Sequence, residues 1–563
     1  FPELNRGRDI TIFGFDEVRF HPDVDAGLYP TAAVLMTVVA LVLLLACSNL
    51  ANLLLVRGMG RIPEVAVRRA LGASRAAVAR LFLGEALLLS GLGGLLGLFF
   101  ARWAVGFVLT LPLPLYAPSG MDLSMDHRVF LFNGMLVLVT GTVFGLIPAL
   151  RSGRVDVTDA LKEGARSVSQ GRGIALFRGT LLAVQVAVSA VLLVGAALAT
   201  RSLGNLRTVD PGVDSDRIAY VATSYAQAGL TTTEGSILFD ELKERVRGLP
   251  GVADAEIASR LPVGGTLSST TVVEGYQPPS GTGSVELPIA LVGEAYFATM
   301  GIPVLQGRAF TSDDRVDSER VVLVNRTAAE RFWPGLDPIG RRIRPQAAPD
   351  RWSRVVGVVE DVRIQELGEP PRAMYYIPLA QSGLFSPYLV VRTDGDPRAL
   401  VPVLRRELRA VSPALPVTEL GTLEAHLGET VAMPRVAAAL MGAFSLLAVL
   451  LATMGIYGVV SYGVARRASE IGIRIALGAG RLQMVGMVVR EVVAAVVVGL
   501  AAGLGLAVLA APVVERGLYG VAALDPGSFA AVALLLTAVA AVASWLPARR
   551  AAGADPVEAL RME

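Results

Sequence analysis

The chain has 563 residues, 53% of them hydrophobic and 18% charged, with a formal net charge of +2 and a mean hydropathy of +0.55. Soluble domains carry about 25% charged residues, so an ordinary soluble enzyme and a disordered scaffold are both excluded. One cysteine, Cys47, leaves no disulfide framework; His21, His127 and His426 are too scattered for a Cys/His metal cluster; and 51 basic against 49 acidic side chains give no global basic face for nucleic acid.

Along the chain, a polar stretch of residues 1–30 precedes an uncharged apolar run over 31–56. Six further uncharged runs follow, at 86–101, 129–150, 179–200, 436–464, 492–514 and 526–547. A helix rises about 1.5 Å per residue, so roughly 20 apolar residues cross a hydrocarbon core of about 30 Å. These runs predict a polytopic helical membrane protein with about seven spans. Between the fourth and fifth runs, residues 201–435 mix dense charge with Pro and Gly. Short apolar runs at 321–324, 355–359, 375–379 and 389–391 read as strands, and 234–247 and 397–411 read as helices. An α+β domain outside the bilayer is therefore predicted, with 264–283, rich in Gly, Ser, Thr and Pro, as a mobile loop.

Arginine placement sets the orientation, because cytoplasmic loops collect Lys and Arg. Arg57, Arg61, Arg68, Arg69, Arg75 and Arg80 surround one acid, Glu64, after the first run; Arg466, Arg467, Arg474, Arg481 and Arg490 surround Glu470 after the fifth. The basic loops share one face, which places the large domain outside the cytoplasm and the C-terminus inside. Seven spans then put residue 1 outside, so the reading expects an N-terminally truncated chain.

The chain also repeats itself. Residues 61–75 and 467–481 align at an offset of 406 with eight of fifteen positions identical. The same offset pairs Gly93 with Gly499 and Gly97 with Gly503, and after a seven-residue slip Pro148 meets Pro547. Within each basic loop, Glu64 and Arg68, or Glu470 and Arg474, stand four apart on one helix face beside Leu71 or Leu477, and Gly72 or Gly478 supplies a helix stop. That pattern suits an amphipathic helix offered to a cytoplasmic partner, with an interfacial anchor that only follows the charge bias as the alternative. Gly93/Gly97 and Gly499/Gly503 are spaced for close helix packing in the membrane, and Asn49, Asn52 and Gln185 read as interhelical hydrogen-bonding residues. With Lys162 and Lys243 the only lysines, and neither in a glycine-rich phosphate loop, the chain itself binds no nucleotide in that way. No catalytic or metal site is predicted, and the chain is read as not an enzyme.

The segment 470–481, following Gly455-Ile-Tyr-Gly-Val-Val-Ser-Tyr462, resembles the FtsX/MacB-type permeases of ABC transporters. Residues 296–308, 324–335 with Asp337-Pro-Ile-Gly340, and 356–362 resemble their periplasmic core domain, and the duplication resembles the acidobacterial-type duplicated branch. The resemblance implies that 1–30 is the tail of a first periplasmic core domain. Residues 31–165 would be a first permease domain of three spans, and 177–200 the first span of a second unit. Residues 201–435 would be a MacB-like core domain, and 436–563 a second permease domain of three spans. It further implies a multi-pass protein of the bacterial inner membrane whose loops at Glu64, Arg68, Leu71 and Gly72, and at Glu470, Arg474, Leu477 and Gly478, dock on a separate ABC ATPase. No cofactor is expected in this chain, since ATP would be bound by that subunit. Periplasmic or outer-membrane partners and the lipid bilayer are expected contacts, and nucleic acid is not. The function implied is export or extraction of a substrate by mechanotransmission, with a non-transporting regulator of a periplasmic partner as the alternative.

Overall fold

A computed structural model describes residues 22–60, 64, 67–68, 71–110, 125–152, 167–265, 267–278, 283–383, 386–466, 481–515 and 517–552. The chain divides into two compact units, one holding residues 203–434 and the other residues 11–202 and 435–563.

In chain order, four long helices come first: α1 (Pro22–Gly60), α2 (Arg75–Thr110), α3 (His127–Ser152) and α4 (Ser167–Leu206). The α+β unit then runs β1 (Ile218–Ala222), α5 (Thr232–Arg247), β2 (Val252–Ala258), β3 (Leu267–Val273), β4 (Val285–Val292), α6 (Tyr296–Met300) and β5 (Val304–Gly307). It continues with β6 (Val321–Asn325), α7 (Arg326–Phe332), β7 (Arg342–Pro345), β8 (Ser353–Val359), β9 (Tyr375–Pro378), β10 (Tyr388–Thr393), α8 (Pro397–Val411), β11 (Glu419–Thr422) and α9 (Leu423–Thr430). Three long helices close the chain: α10 (Ala432–Arg466), α11 (Arg481–Glu515) and α12 (Pro526–Ala552).

Six of the seven long helices meet the length and hydropathy of a membrane span, and α3 adds a shorter apolar stretch, His127–Val143, within its 26 residues. Their apolar side chains point outward: Leu96, Phe99, Leu509 and Leu534 are each at least 69% exposed. Such a belt is unfavourable in water and is what lipid covers. The duplication is visible in the element boundaries. Gly60 and Arg466 end α1 and α10, and Arg75 and Arg481 begin α2 and α11, each pair 406 apart. His127 and Pro526 begin α3 and α12, 399 apart, which locates the seven-residue slip in the connection before the third helix.

In the second copy, α4, α10, α11 and α12 share one core through Leu182, Val186, Ile456, Val460, Val492, Val496, Leu536 and Ala540. The approach of α11 to α4 is set by its glycines. A Cβ added at Gly499 would lie 2.5 Å from the Ala183 carbonyl oxygen, and one at Gly503 2.5 Å from that of Ala187. Helix α1 joins this assembly through Val38 and Leu45, packed with Val188, Leu192 and Ala448. Two of the three predicted polar residues bond there: Gln185 Nε2 donates to Asn49 Oδ1 (2.7 Å) and Asn49 Nδ2 donates to the Leu451 carbonyl (2.8 Å), whereas Asn52 Oδ1 is buried without a hydrogen-bond partner. Ser445 Oγ donates to the Leu192 carbonyl at 2.8 Å. In a bilayer, where no water satisfies such groups, these bonds fix which faces meet.

The α+β unit is built on one sheet in the order β11-β1-β10-β2-β4-β3-β7-β8-β6-β9, with β5 on β8 and a further β4–β9 pairing. That last pairing closes β4, β3, β7, β8, β6 and β9 into a ring around Leu287, Val322, Val324, Ile343, Val355 and Tyr375. The remaining β11-β1-β10-β2 portion is open and covered on both faces. Alternation along β1 explains this: Ala219 and Val221 pack with α5 and α8, whereas Ile218 and Tyr220 face the opposite core. Helix α8 supplies Leu400, Leu404 and Leu408 at four-residue spacing, and α5 supplies Phe239, Leu242 and Val246. Asp396 and Pro397 start α8, and a Thr231–Glu234 capping box starts α5.

The predicted strands at 321–324, 355–359, 375–379 and 389–391 and both predicted helices are present. The reading of 264–283 as a mobile loop is corrected: β3 crosses it, paired with β4 and β7. Its Ser-Ser-Thr-Thr run looks polar and loop-like, but β-branched Thr271, Val272 and Val273 suit a strand whose outer face stays half exposed.

Two outcomes are expected. Gly503→Leu places a side chain into the α4 backbone, so the full chain loses its monodisperse detergent-solubilised state and unfolds several degrees lower, whereas Val498→Leu on the lipid-facing side leaves thermal unfolding unchanged. Leu404→Ala, at a fully buried position, costs the α+β unit about 2–5 kcal/mol, readable as a lower midpoint in urea.

Candidate coupling and transmission site

Two features of the structure bear on function: a short segment before α2, and the seats from which the chain enters and leaves the α+β unit. In the first, Arg68 Nη2 and Glu64 Oε1 are 2.8 Å apart, both side chains 47% exposed. An exposed pair at this spacing contributes only about 0.2–0.5 kcal/mol, so its value to the fold is small. The Leu71 amide donates to the Val67 carbonyl at 3.0 Å and the Ala73 amide to the Arg68 carbonyl at 2.9 Å. Gly72 then takes φ +93°, the left-handed conformation that ends a helix. Ser74 Oγ accepts the Ala77 amide at 3.2 Å and starts α2. The result is a helical turn, a stop and a second helix within a few residues. Beside the ion pair, Leu71 is 83% and Val67 59% exposed, so the segment presents charge and apolar surface together. Its repeat, Glu470, Arg474, Leu477 and Gly478, lies outside the described residues.

Gly499 and Gly503, read from sequence as packing glycines, meet the α4 backbone. Gly93 and Gly97 meet nothing: a Cβ at either has no neighbour within 4 Å. In the first copy the close contact is one residue along, where a Cβ at Gly94 would collide with Val137 Cγ2 of α3, and another is at Gly141 of α3 against Leu87. The sequence carried no signal to separate Gly94 from its neighbours.

The second feature was not legible in the sequence. Leu206, at the end of α4, and Val209 pack on the same core that holds Leu423, Leu427 and Val431, the last residues before α10. That core also contains Ile218, Tyr220, Tyr296, Phe297, Met300 and Val390. Helix α9 is pinned further by His426 Nε2, 2.6 Å from the Val263 carbonyl oxygen, with the imidazole edge-on to Tyr220. Val263 is fully buried with φ +56°, the one non-glycine residue at positive φ among the described residues. A β-branched residue there costs on the order of 1–3 kcal/mol and persists only where its surroundings hold it. Its amide donates to the Arg363 carbonyl at 3.3 Å. Arg392 ties the entry side, Nη1 to Asp214 Oδ2 and Nε to the Thr299 carbonyl, both at 2.7 Å.

A cleft of about 730 Å³ in the same unit is lined by Tyr225, Lys243, Glu256, Phe310, Asp314 and Gln381, among others. Lys243, Glu256 and Asp314 are partnered there. Glu256 accepts from the Ile257 amide (2.9 Å), the Ala295 amide (3.0 Å) and Lys243 Nζ (3.4 Å). Arg308 grips Asp314 through two bonds of 2.8 Å and holds its carboxyl below the usual range. Burial pushes the Tyr225 phenol and the Asp240 carboxyl up. No group of three or more His, Cys, Asp or Glu that could hold a metal occurs among the described residues.

Comparison with known proteins agrees with this division. The family model for the FtsX-like permease C-terminal region matches residues 36–157 and 442–556, and that for the MacB-like periplasmic core domain matches residues 179–411. A macrolide export ATP-binding/permease protein MacB from Rhodospirillum rubrum is 28% identical over 433 residues, covering 72% of this chain and 60% of its own length. The protein of the same name from Bordetella avium is 28% identical over 344 residues, covering 58% of this chain and 50% of its own. The chain thus spans half to three fifths of the length of these relatives. The periplasmic region of MacB from Actinobacillus actinomycetemcomitans aligns with a TM-score of 0.27 at 16% identity, over 40% of this chain and 95% of that one. With two FtsX-like segments flanking a MacB-like periplasmic core domain on a multi-pass helical scaffold, the chain belongs to the FtsX/MacB-type ABC transporter permeases.

Proposed function

We propose that the chain is the permease subunit of an ABC-type exporter, in which ATP hydrolysis on a separate ATPase subunit moves the α+β unit and drives export or extraction of a substrate handled outside the cytoplasm. The observation that carries this is the shared seat: the chain leaves α4 through Leu206 and Val209, and reaches α10 through Leu423, Leu427 and Val431, all in one core. A displacement of either helix end acts on the same packed cluster, and a close-packed core transmits strain instead of absorbing it. In this reading the unit responds as a body to displacement of the two helix ends.

The segment around Glu64 and Arg68, with its repeat around Glu470 and Arg474, is the docking surface for the ATPase in this reading. Its exposed Leu71 and Val67 supply apolar contact and its ion pair supplies register. Arginine bias supports a cytoplasmic position for these segments and the C-terminus, with the α+β unit facing out, in this reading of a bacterial inner-membrane protein. Partners in the periplasm or outer membrane would then be met by that unit. The relatives are named for macrolide export, which supports export as the reaction class. ATP belongs to the partner subunit, and the chain needs no cofactor of its own.

Co-reconstitution with the cognate ATPase tests this. Arg68→Glu combined with Arg474→Glu is expected to lower both ATPase association and permease-stimulated hydrolysis at least tenfold, with thermal unfolding unchanged because the Glu64–Arg68 pair adds little stability. Combining Glu64→Arg with Arg68→Glu and Glu470→Arg with Arg474→Glu restores the intrahelical pairs but not the docking register, so stimulation stays low. Normal stimulation in the first double variant defeats the coupling assignment.

A further inference from the structure

We propose that Arg201 and Ser202 of α4, held by Asp525 and Tyr519 of the α11–α12 connection, form a clasp through which α11 carries the coupling stroke to the end of α4 that leads into the α+β unit. The clasp presupposes the coupling reading above and supplies positioning residues for it. Arg201 and Ser202 close the membrane unit at this point, since the α+β unit begins at residue 203. The Tyr519 amide donates to Ser202 Oγ at 2.8 Å, and the Arg201 guanidinium donates to the Asp525 carboxylate. Arg201 Nη1 lies over the first turn of α12, 3.1 Å from where a Cβ on Gly527 would stand. Leu518, Val521 and Phe529, which flank the clasp, pack on the core that joins α4 to α11 and α12.

A fixed link here has a mechanical use. Helix α11 begins at Arg481, directly after the segment from Glu470 to Gly478, and runs 35 residues to Glu515, about 50 Å at 1.5 Å per residue. It therefore reaches from the proposed docking segment to the connection that grips α4. Midway, Gly499 and Gly503 set the spacing between α11 and α4, but close packing of helix surfaces resists separation more than it resists sliding along the axes. Directional bonds at one end stop the sliding, so an axial load on α11 is delivered at Arg201 and Ser202. Fold stability gives little reason for the ion pair, because Arg201 is 55% exposed and pairs at such sites are screened and weak. Capping does not account for it either. Asp525 caps α12 through the Ser528 amide at 2.7 Å, and its counterpart Asp126 caps α3 in the same way through the Arg128 and Val129 amides, both at 3.1 Å. Asp126 pairs with Arg128 of its own helix at 3.9 Å, whereas Asp525 adds a bond to a second helix.

The test uses the full chain, carrying Cys47→Ala, co-reconstituted with the cognate ATPase. Spin labels at Leu96→Cys and Thr208→Cys, both exposed positions, report the change in distance between α2 and the chain beyond the clasp when a non-hydrolysable ATP analogue is added. Arg201→Gln, and Asp525→Asn, which keeps an oxygen for the α12 cap, are each expected to reduce that change at least fivefold, with ATPase association and thermal unfolding as in the parent. The two together reduce it no further, and Arg201→Lys, which keeps the charge, retains at least half. A full change in either single variant, or losses that multiply in the double variant, overturns the proposal. A parent chain that binds the ATPase and shows no change at all defeats the coupling reading itself, and that result is distinct because it appears before any clasp residue is altered.

Discussion

The membrane part of this protein rests on one contact, the approach of α11 to α4 at Gly499 and Gly503 to within van der Waals distance of the α4 backbone. In water, apolar side chains alone hold such helices together; in lipid that drive vanishes and the fit of surfaces must replace it. Glycine provides the fit, because it removes the side chain that would hold the axes apart. Everything built on the Leu182–Val460–Val492 core of the second copy presupposes that spacing.

The hydrogen bonds around Asn49 add direction to this packing. Dispersion at glycine notches is tolerant of small rotations, whereas Gln185 to Asn49 and Asn49 to the Leu451 carbonyl are satisfied in one arrangement only. A polar side chain left unpaired in hydrocarbon is costly, so the arrangement that pairs these groups is selected. The α+β unit uses a parallel logic with different materials. Its strained Val263 backbone is stabilised by His426 from α9 and by the Arg363 carbonyl, so a costly conformation is held by the element that leads to α10.

Much of this was readable from residue patterns, and for identifiable reasons. Charge-free runs of about 20 residues have few alternatives to spanning a bilayer, and an offset that pairs Gly60 with Arg466 and Arg75 with Arg481 recurs as helix boundaries. Helix α8 was exact because Asp396-Pro397 opens it and Leu400, Leu404 and Leu408 leave no doubt of its period. Strand β3 was lost because Ser268, Ser269 and Thr270 have the composition of a loop, and only pairing with β4 and β7 makes a strand of them. The shared seat of Leu206 and Leu427 was invisible because it joins residues more than 200 apart in sequence, and local periodicity carries no such information. The glycines show the limit most clearly: the repeat pairs Gly93 with Gly499, but counterparts in sequence do not guarantee a neighbour in space.

Helices α1 and α10 are counterparts too, yet they meet at unlike residues. At the shared offset Asn49 corresponds to Gly455 and Asn52 to Gly458, and in the fold a Cβ at Gly455 would collide with Gln185 Oε1 and lie 2.9 Å from Asn49 Oδ1, while one at Gly458 would lie 3.8 Å from Asn52 Nδ2. Bulk on one side answers absence of bulk on the other. Like-with-like association would set amide against amide or hollow against hollow, so each half recognises its sibling within the same polypeptide. The two faces are therefore complementary and not interchangeable: a pair built from either face alone would lose the fit that Gly455 and Asn49 make together.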